Sequence, residues 1–186
     1  VWRPGLDFAA VADIHAMKRR IDAHRGGALA DAADPAARIA GHNVKLGEGG
    51  IREIEFLVQS LQLVWGGRDP ALRVRPTIEA LGLLAASGKV PADAEPELAA
   101  SYAYLRQVQH RLQMVADRQT HDVPEKPAEL ARIAVFLGYP DADAFARGLL
   151  GHLGRVRARY ARAFELVPAL PPGREAARSE EHTSEL

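Results

Sequence analysis

The chain has 186 residues, 47% of them hydrophobic, and its 24 basic side chains balance its 24 acidic ones. Zero net charge argues against a general nucleic-acid or membrane-surface role, because both need a net or segregated positive field. With no cysteine, disulfides and thiolate metal sites are excluded. No apolar run approaches the roughly 18–20 residues that span a bilayer, and no signal peptide precedes the first helix. We therefore expect a cytoplasmic protein with neither a nucleic-acid nor a membrane partner.

Hydrophobic periodicity predicts helices throughout the chain and no strand. The first helix follows Asp7, a capping residue, and its apolar positions recur at helical spacing as far as Ile21. The stretch from Gly26 to Asn43 is rich in Gly, Ala, Asp and Pro, and it is predicted to be a surface loop. The second helix runs from about Gly50 to Trp65 and ends at a pair of glycines.

Four further helices complete the prediction. Pro76 opens the third helix, residues 93–117 form the fourth, Pro127 opens the fifth and Asp141 caps the sixth. Their core-facing residues are expected to be Ile78, Leu81 and Leu84; Leu98, Tyr102, Leu105, Val108, Leu112 and Val115; Leu130, Ile133 and Leu137; and Phe145, Leu149, Leu153, Val156, Tyr160 and Phe164. The fold class is an all-α bundle of about six helices with short connections, over residues 1–170.

The two ends of the chain are interpreted as the limits of a fragment. The chain starts at Val1 rather than at a methionine, within "VWRPGLDF". Residues 171–186 are expected to form a disordered tail. Within that tail, residues 178–186, "RSEEHTSEL", resemble the in-frame translation of a sequencing adapter and are left out of the fold prediction.

A glycine-rich turn precedes the second helix in "KLGEGGIREIEF". Gly47, Gly49 and Gly50 permit backbone conformations that are closed to other residues, and they bring N–H groups to a helix start, where anions are favoured. Lys45 adds a positive charge. The turn is not a P-loop, because no Gly-Lys-Ser/Thr sequence follows it.

Acidic residues limit what this turn can bind. Glu48, Glu53 and Glu55 compensate the helix dipole themselves and would repel a bare phosphate. The turn therefore suits contact with a metal-bound nucleotide, or with a partner domain, better than binding of free phosphate. A further alternative stays open, namely that the polar side of the second helix is only a solvated face with no binding role. That side consists of Arg52, Glu55, Gln59 and Gln62.

Two longer stretches resemble one enzyme family. "NVKLGEGGIREIEFLVQSLQLVWGGRDPALRVRPTIEAL" and "YLRQVQHRLQMVADRQTHDVP" are similar to the bacterial bifunctional glutamine synthetase adenylyltransferase/adenylyl-removing enzyme. The resemblance covers nearly all of the chain before the tail. The Ile-Arg-Glu-Ile-Glu-Phe run is closest to the first, adenylyl-removing half of that family, so the resemblance implies the helical domain that follows the first nucleotidyltransferase domain. The residues it places near nucleotide are Lys45, Gly47, Gly49, Gly50, Arg52, Glu53 and Glu55.

The resemblance also implies a reaction. In the full-length enzyme, the first half releases ADP by phosphorolysis of an adenylyl-tyrosine on glutamine synthetase, and the second half transfers AMP from ATP to the same tyrosine. Expected partners are glutamine synthetase, the PII signal-transduction protein and the upstream nucleotidyltransferase domain. The expected cofactors are Mg²⁺ and ATP or ADP, held by the full-length enzyme and not by this chain alone.

No catalytic or metal-binding residue is assigned within this chain. The family holds its metal with a Gly-Ser…Asp-x-Asp element on strands of the preceding domain. Asp141 and Asp143 have the Asp-x-Asp spacing but lie at a helix start, without the Gly-Ser sequence or a strand. Two carboxylates on a rigid sheet are needed to hold Mg²⁺ at a transferring phosphoryl group, so we expect no activity from this chain alone.

Two alternatives to this interpretation remain. One is a non-catalytic helical module that binds PII or braces the catalytic domains. The other is the related uridylyltransferase family of PII, whose members lack the full Arg-Glu-Ile-Glu-Phe match. Among the remaining polar residues, His110 and His121 are interpreted as packing residues or helix-end contacts rather than catalytic groups. The basic stripe of Arg155, Arg159 and Arg162 is interpreted as compensation of a helix dipole, with docking onto an acidic partner as the alternative.

Overall fold

The computed structural model describes Ala16, Lys18, Arg19, Ala23 and residues 29–116 and 119–165. Within these residues the chain forms six α-helices and no strand, which confirms the predicted fold class. A turn of 3₁₀-helix, Pro70–Leu72, connects the second helix to the third. The helices are α1, Pro35–Ile39; α2, Ile51–Trp65; α3, Thr77–Ala86; α4, Ala94–Ala116; α5, Pro127–Phe136; and α6, Ala142–Glu165.

Helix α6 is the element around which the described part of the bundle packs. It contacts α1, α2, α4 and α5. Its apolar residues recur every three or four positions, so they lie on one face and are buried together. All six residues predicted for that face are buried: Phe145, Leu149, Leu153, Val156, Tyr160 and Phe164. The phenyl ring of Phe164 also stacks on that of Phe56 in α2, with 5.7 Å between the ring centroids.

The prediction of a surface loop between Gly26 and Asn43 was wrong at residues 35–39, where α1 forms. The Asp34 carboxylate accepts a hydrogen bond from the Ala37 N–H at 2.8 Å, which caps the helix, and Pro35 is its first residue. Ile39 at the end of α1 is fully buried. A helix of only five residues is too short to show a periodic pattern, and the Gly, Ala, Asp and Pro residues around it favoured the prediction of a loop.

Two residues predicted to face the core are exposed. Ile78 in α3 is 39% exposed, because Ala80 joins Leu81 and Leu84 on the buried face of that short helix. Val115 in α4 is 44% exposed, although the rest of its predicted stripe is buried or half-buried. The sequence period is correct in both helices, but the neighbouring elements do not cover their ends.

Two predicted segments lie outside the described residues. They are the first predicted helix, apart from four isolated positions, and the tail at residues 171–186. The caps predicted for the later helices are present. The Asp141 carboxylate accepts from the Ala144 N–H at 2.7 Å at the start of α6. Pro127 is the first residue of α5, whereas Pro76 precedes α3 as its N-cap.

Arg159, in the predicted basic stripe, joins α6 to the start of α4. Its guanidinium group donates to Glu97 at 2.9 Å and to Asp93 at 2.8 Å. These hydrogen bonds raise the pKa of Arg159 and lower the pKa of both carboxyl groups. The middle of the stripe is therefore an interhelical bridge.

Candidate functional site

The glycine-rich turn, residues 44–50, is here called the glycine corner. Asn43 organises its first residues, because its side-chain oxygen accepts from the N–H groups of Lys45 at 3.1 Å and Leu46 at 2.7 Å. The side-chain nitrogen of Asn43 donates to the Asp122 carboxylate at 2.7 Å. The corner is thus fixed at its start by one amide side chain that also reaches the segment after α4.

Backbone pairing holds the corner to that same segment. Residues 41–44 exchange hydrogen bonds with residues 121–123 around a single bridge position. The Val44 N–H donates to the His121 carbonyl at 2.9 Å. The imidazole of His121 in turn lies 2.9 Å from the side-chain nitrogen of Gln109 in α4. His121 therefore acts as a packing residue, in agreement with its interpretation from the sequence.

Close packing explains all three glycines of the corner. Gly49 has a φ of +75°, and a Cβ atom there would collide with the carbonyl group of Leu153 in α6. A Cβ atom at Gly47 would lie 2.5 Å from the ring of His42, and one at Gly50 would lie 2.8 Å from carbonyl oxygens of the corner itself. The three glycines are buried. The lack of a side chain at Gly49 lets the backbone of the corner rest on α6, and at Gly47 and Gly50 it lets the corner pack against His42 and against itself.

The start of α2 already uses its backbone N–H groups. Three of them donate to carbonyl groups of the corner: Ile51 to Val44 at 3.1 Å, Arg52 to Lys45 at 3.0 Å, and Glu53 to Gly50 at 3.1 Å. An anion at a helix N-terminus needs N–H groups that have no other acceptor. The N–H groups of residues 51–53 are therefore not available to a phosphate, and a contact between the start of α2 and a nucleotide would have to come from side chains.

Two basic side chains of the corner reach the surface. Arg52 is exposed, and its guanidinium group makes no hydrogen bond or ion pair with any residue that the structure describes. Lys45 is half-buried near His121. Burial of His121, reinforced by the positive charge of Lys45, lowers the pKa of that imidazole. Arg52 is the side chain of the predicted set that is best placed to meet a ligand from outside.

The acidic residues of the predicted set have different surroundings. The carboxylate of Glu55 accepts from the Tyr102 hydroxyl at 3.2 Å, which ties α2 to α4. Glu53 is only 2% exposed and faces the interior. Glu48 lies 3.6 Å from Arg157, so it links the corner to α6. The structure brings all seven predicted residues into one region, but Glu53 is buried and Glu55 is hydrogen-bonded to Tyr102, whereas Arg52 faces solvent.

His42 is a residue of this region that the sequence analysis did not single out. It is 4% exposed, and neither ring nitrogen has a hydrogen-bond partner among the described residues. Burial lowers its pKa to about 4, against the opposing charges of Glu48 and Asp122. A single histidine beside a turn has no periodic or motif signal, so no sequence pattern could have identified it.

The described residues do not offer a site that fits Mg²⁺. No group of three His, Cys, Asp or Glu side chains among them is placed to hold a metal ion. Of the two aspartates with Asp-x-Asp spacing, Asp141 is engaged as the cap of α6.

In the described part of the chain, no helix is both long and apolar enough to cross a membrane.

Comparison with known proteins gives two results. The sequence model of the family described as GlnD PII-uridylyltransferase matches residues 15–164. A curated relative from Rhodopseudomonas palustris (strain TIE-1), the bifunctional glutamine synthetase adenylyltransferase/adenylyl-removing enzyme, is 50% identical over 176 residues. Proteins with the same name from Bradyrhizobium diazoefficiens and Xanthobacter autotrophicus are each 52% identical, over 165 and 167 residues.

These matches cover most of this chain and little of its relatives. The three alignments include 92%, 89% and 90% of this chain, but only 17%, 16% and 16% of the relatives. The chain thus spans about a sixth of the length of the curated relatives it matches. The chain belongs to the family described as GlnD PII-uridylyltransferase, and it corresponds to a segment of the bifunctional glutamine synthetase adenylyltransferase/adenylyl-removing enzymes.

Proposed function

We propose that this chain is the helical domain that follows the first nucleotidyltransferase domain of an enzyme that adenylylates and deadenylylates glutamine synthetase. The main support is the identity of about half over nearly the whole chain, including the glycine corner and α2. The uridylyltransferase name of the matching family model fits a helical domain shared by both kinds of enzyme. We favour the glutamine synthetase-modifying enzyme over the uridylyltransferase because the curated relatives at this identity carry the bifunctional name.

Within that enzyme, we propose that Arg52 contacts the phosphate groups of a nucleotide held by the upstream domain. The supporting observation is an exposed arginine, without a partner among the described residues, next to a corner that packing holds rigidly. A guanidinium group donates in a planar fork that matches phosphate oxygens. Lys45 would add positive charge at the same surface, while Glu48 would keep the corner against α6 through Arg157.

Mg²⁺ would neutralise charge on the transferring phosphoryl group when bound to the full-length enzyme. Since no described residue fits it, its ligands are proposed to lie in the upstream domain. The contribution of this chain is to position one guanidinium group and to wall off one side of the nucleotide.

The test is a charge reversal, Arg52→Glu, in the full-length enzyme. We expect phosphorolysis of adenylyl-glutamine synthetase to fall roughly 100-fold, the usual effect of losing a charged group that stabilises developing charge. The thermal unfolding temperature should stay nearly unchanged, because the Arg52 side chain is exposed. The measurement is the rate of ADP release with inorganic phosphate as co-substrate, together with a thermal melt.

Gln59→Glu provides the matched control. Gln59 is also exposed and lies on the same helix, almost two turns further from the corner. This variant should keep the rate of phosphorolysis within about twofold of that of the parent enzyme, since an added charge on a solvent-exposed site is largely screened. An Arg52→Glu enzyme with unchanged turnover, or a Gln59→Glu enzyme with an equal loss, would contradict the nucleotide contact.

A second candidate function is a non-catalytic module that binds PII or braces the catalytic domains. One observation favours it: the glycines and the first N–H groups of α2 are used inside the bundle. Under this alternative, Arg52→Glu would leave phosphorolysis intact and would weaken the binding of PII or the docking of the domains. The same variant therefore separates the two functions when both turnover and PII affinity are measured.

A further inference from the structure

An apolar surface lies at the C-terminal ends of α4 and α5, on different helices from the corner. We call it the apolar patch, and it consists of Met114, Val115, Val135 and Phe136. These side chains are 63%, 44%, 66% and 41% exposed. Among the described residues, only Leu63 and Ile78 are comparably exposed large apolar side chains. Four of the six exposed large apolar side chains therefore lie together on two adjacent helices, whereas exposed apolar residues without a function are usually scattered singly.

A shallow, open groove lies along part of the patch. The groove has a volume of about 530 Å³, and it is lined mostly by apolar atoms. Its lining residues are Val115, Ala131, Arg132, Val135 and Phe136. Four of its five lining residues are on α5, and Ala131 adds little bulk between the larger side chains, which leaves room for apolar side chains of a partner helix.

Two arginines flank this groove. The guanidinium group of Arg111 lies 4.4 Å from the centroid of the Phe136 ring, and Arg132 lines the groove directly. Neither arginine makes a hydrogen bond or an ion pair with a residue that the structure describes. Each guanidinium group therefore has N–H donors that no described residue uses, and arginine forms its best hydrogen bonds with carboxylates.

We propose that the apolar patch docks an amphipathic helix of a protein partner, with carboxylates beside its apolar face. The apolar side chains would enter the groove, and the carboxylates would pair with Arg111 and Arg132. A second copy of this chain fits less well. A symmetric contact between two copies brings the same surface together, and neither the patch nor the residues that line the groove include a carboxylate to pair with Arg111 and Arg132.

The test uses a designed peptide as the probe. The peptide is a helix of about 18 residues, with leucines at i, i+3, i+4 and i+7 and glutamates on either side of that stripe. Binding to the chain is measured by fluorescence anisotropy, and hydrogen exchange locates the protected residues. We expect saturable binding with protection of residues 111–115 and 131–136. A second peptide, with lysines in place of the glutamates, should bind at least about tenfold more weakly.

Two variants and their matched controls test which residues are responsible. Val135→Gln removes an apolar contact without adding charge, and Arg132→Glu reverses one of the flanking charges. Each substitution should lower the affinity for the acidic peptide about tenfold. The controls are Ile78→Gln, a similarly exposed apolar residue on α3, and Arg147→Glu, an exposed arginine on α6. All four side chains are exposed, so the variants should fold, and the controls should bind as the parent chain does.

Four outcomes would overturn the proposal. They are no binding of the acidic peptide at millimolar concentration, equal binding of the acidic and basic peptides, protection away from the patch, and self-association that Val135→Gln abolishes. The last outcome would identify a second copy of the chain as the occupant. None of them depends on turnover, so a failure here is distinct from a failure of the Arg52 experiment.

Discussion

Alanine at Gly49 is expected to lower the free energy of unfolding by about 3 kcal/mol. Two costs combine. The φ of +75° is strained for any residue with a Cβ atom, and that atom would also meet the backbone of Leu153. Because the obstacle is a backbone carbonyl in a helix, no side-chain rotation can relieve it. Urea unfolding of the parent chain and of Gly49→Ala, followed by circular dichroism, measures the difference.

Gly88→Ala separates the two costs. Gly88 has nearly the same φ, +70°, but no atom lies within 4 Å of the position that its Cβ would take. This variant should lose only about 1 kcal/mol, the cost of the strained backbone alone. Replacing glycine by alanine also lowers the conformational entropy of the unfolded chain, which stabilises the folded state. This gain is similar for both substitutions, so it cancels in the comparison. Equal losses in the two variants would show that the corner does not rest on α6 as the structure has it.

Acid is expected to destabilise the chain through His42. Its pKa is near 6.5 in the unfolded chain and about 4 in the folded one, so between these values the unfolded state binds more protons. The contribution of His42 to stability is therefore complete above pH 6.5 and is lost as the pH falls towards 4. The loss amounts to about 3 kcal/mol, since each pKa unit corresponds to 1.36 kcal/mol. Urea unfolding at a series of pH values from 7.5 to 4 measures it.

His42→Phe is the comparison that isolates this residue. Phenylalanine keeps a ring against Gly47 but cannot take up a proton, and no hydrogen bond to a described residue is lost with the ring nitrogens. Other groups still titrate in this variant, including His152, whose pKa burial also lowers to about 4. The difference in stability between parent and variant should therefore shift in favour of the variant as the pH falls. Parallel pH profiles would show that His42 is not the acid-sensitive residue.

Much of the fold could be predicted because the longer helices carry their own signal. Helix α6 shows this best, since six apolar residues at helical spacing are enough to define one buried face, and all six are buried. Helix α1 shows the limit. Its five residues are helical because Asp34 caps them and Ile39 is buried, and neither effect is visible as a period. The exposure of Ile78 and Val115 likewise depends on which elements cover the ends of their helices.

The glycine corner could be located from the sequence, but its physical basis could not. The three glycines indicated a special turn, and the sequence analysis interpreted it as one that brings N–H groups to a helix start, where anions are favoured. The structure shows packing, because carbonyl groups of the corner occupy the N–H groups of Ile51, Arg52 and Glu53. Two contacts that position the corner and α2 join residues distant in sequence, namely Gly49 with Leu153 and Glu55 with Tyr102. Leu153 and Tyr102 have no motif that would associate them with the corner.

The contact between Gly49 and Leu153 has a consequence for how such proteins diverge. Main-chain atoms of both residues make it, so the identity of the side chain at position 153 does not enter. Related sequences should then retain glycine at position 49 and accept a range of apolar residues at position 153, so substitutions at the two positions would not be correlated. Methods that infer proximity from correlated substitutions would miss one of the tightest approaches in this protein.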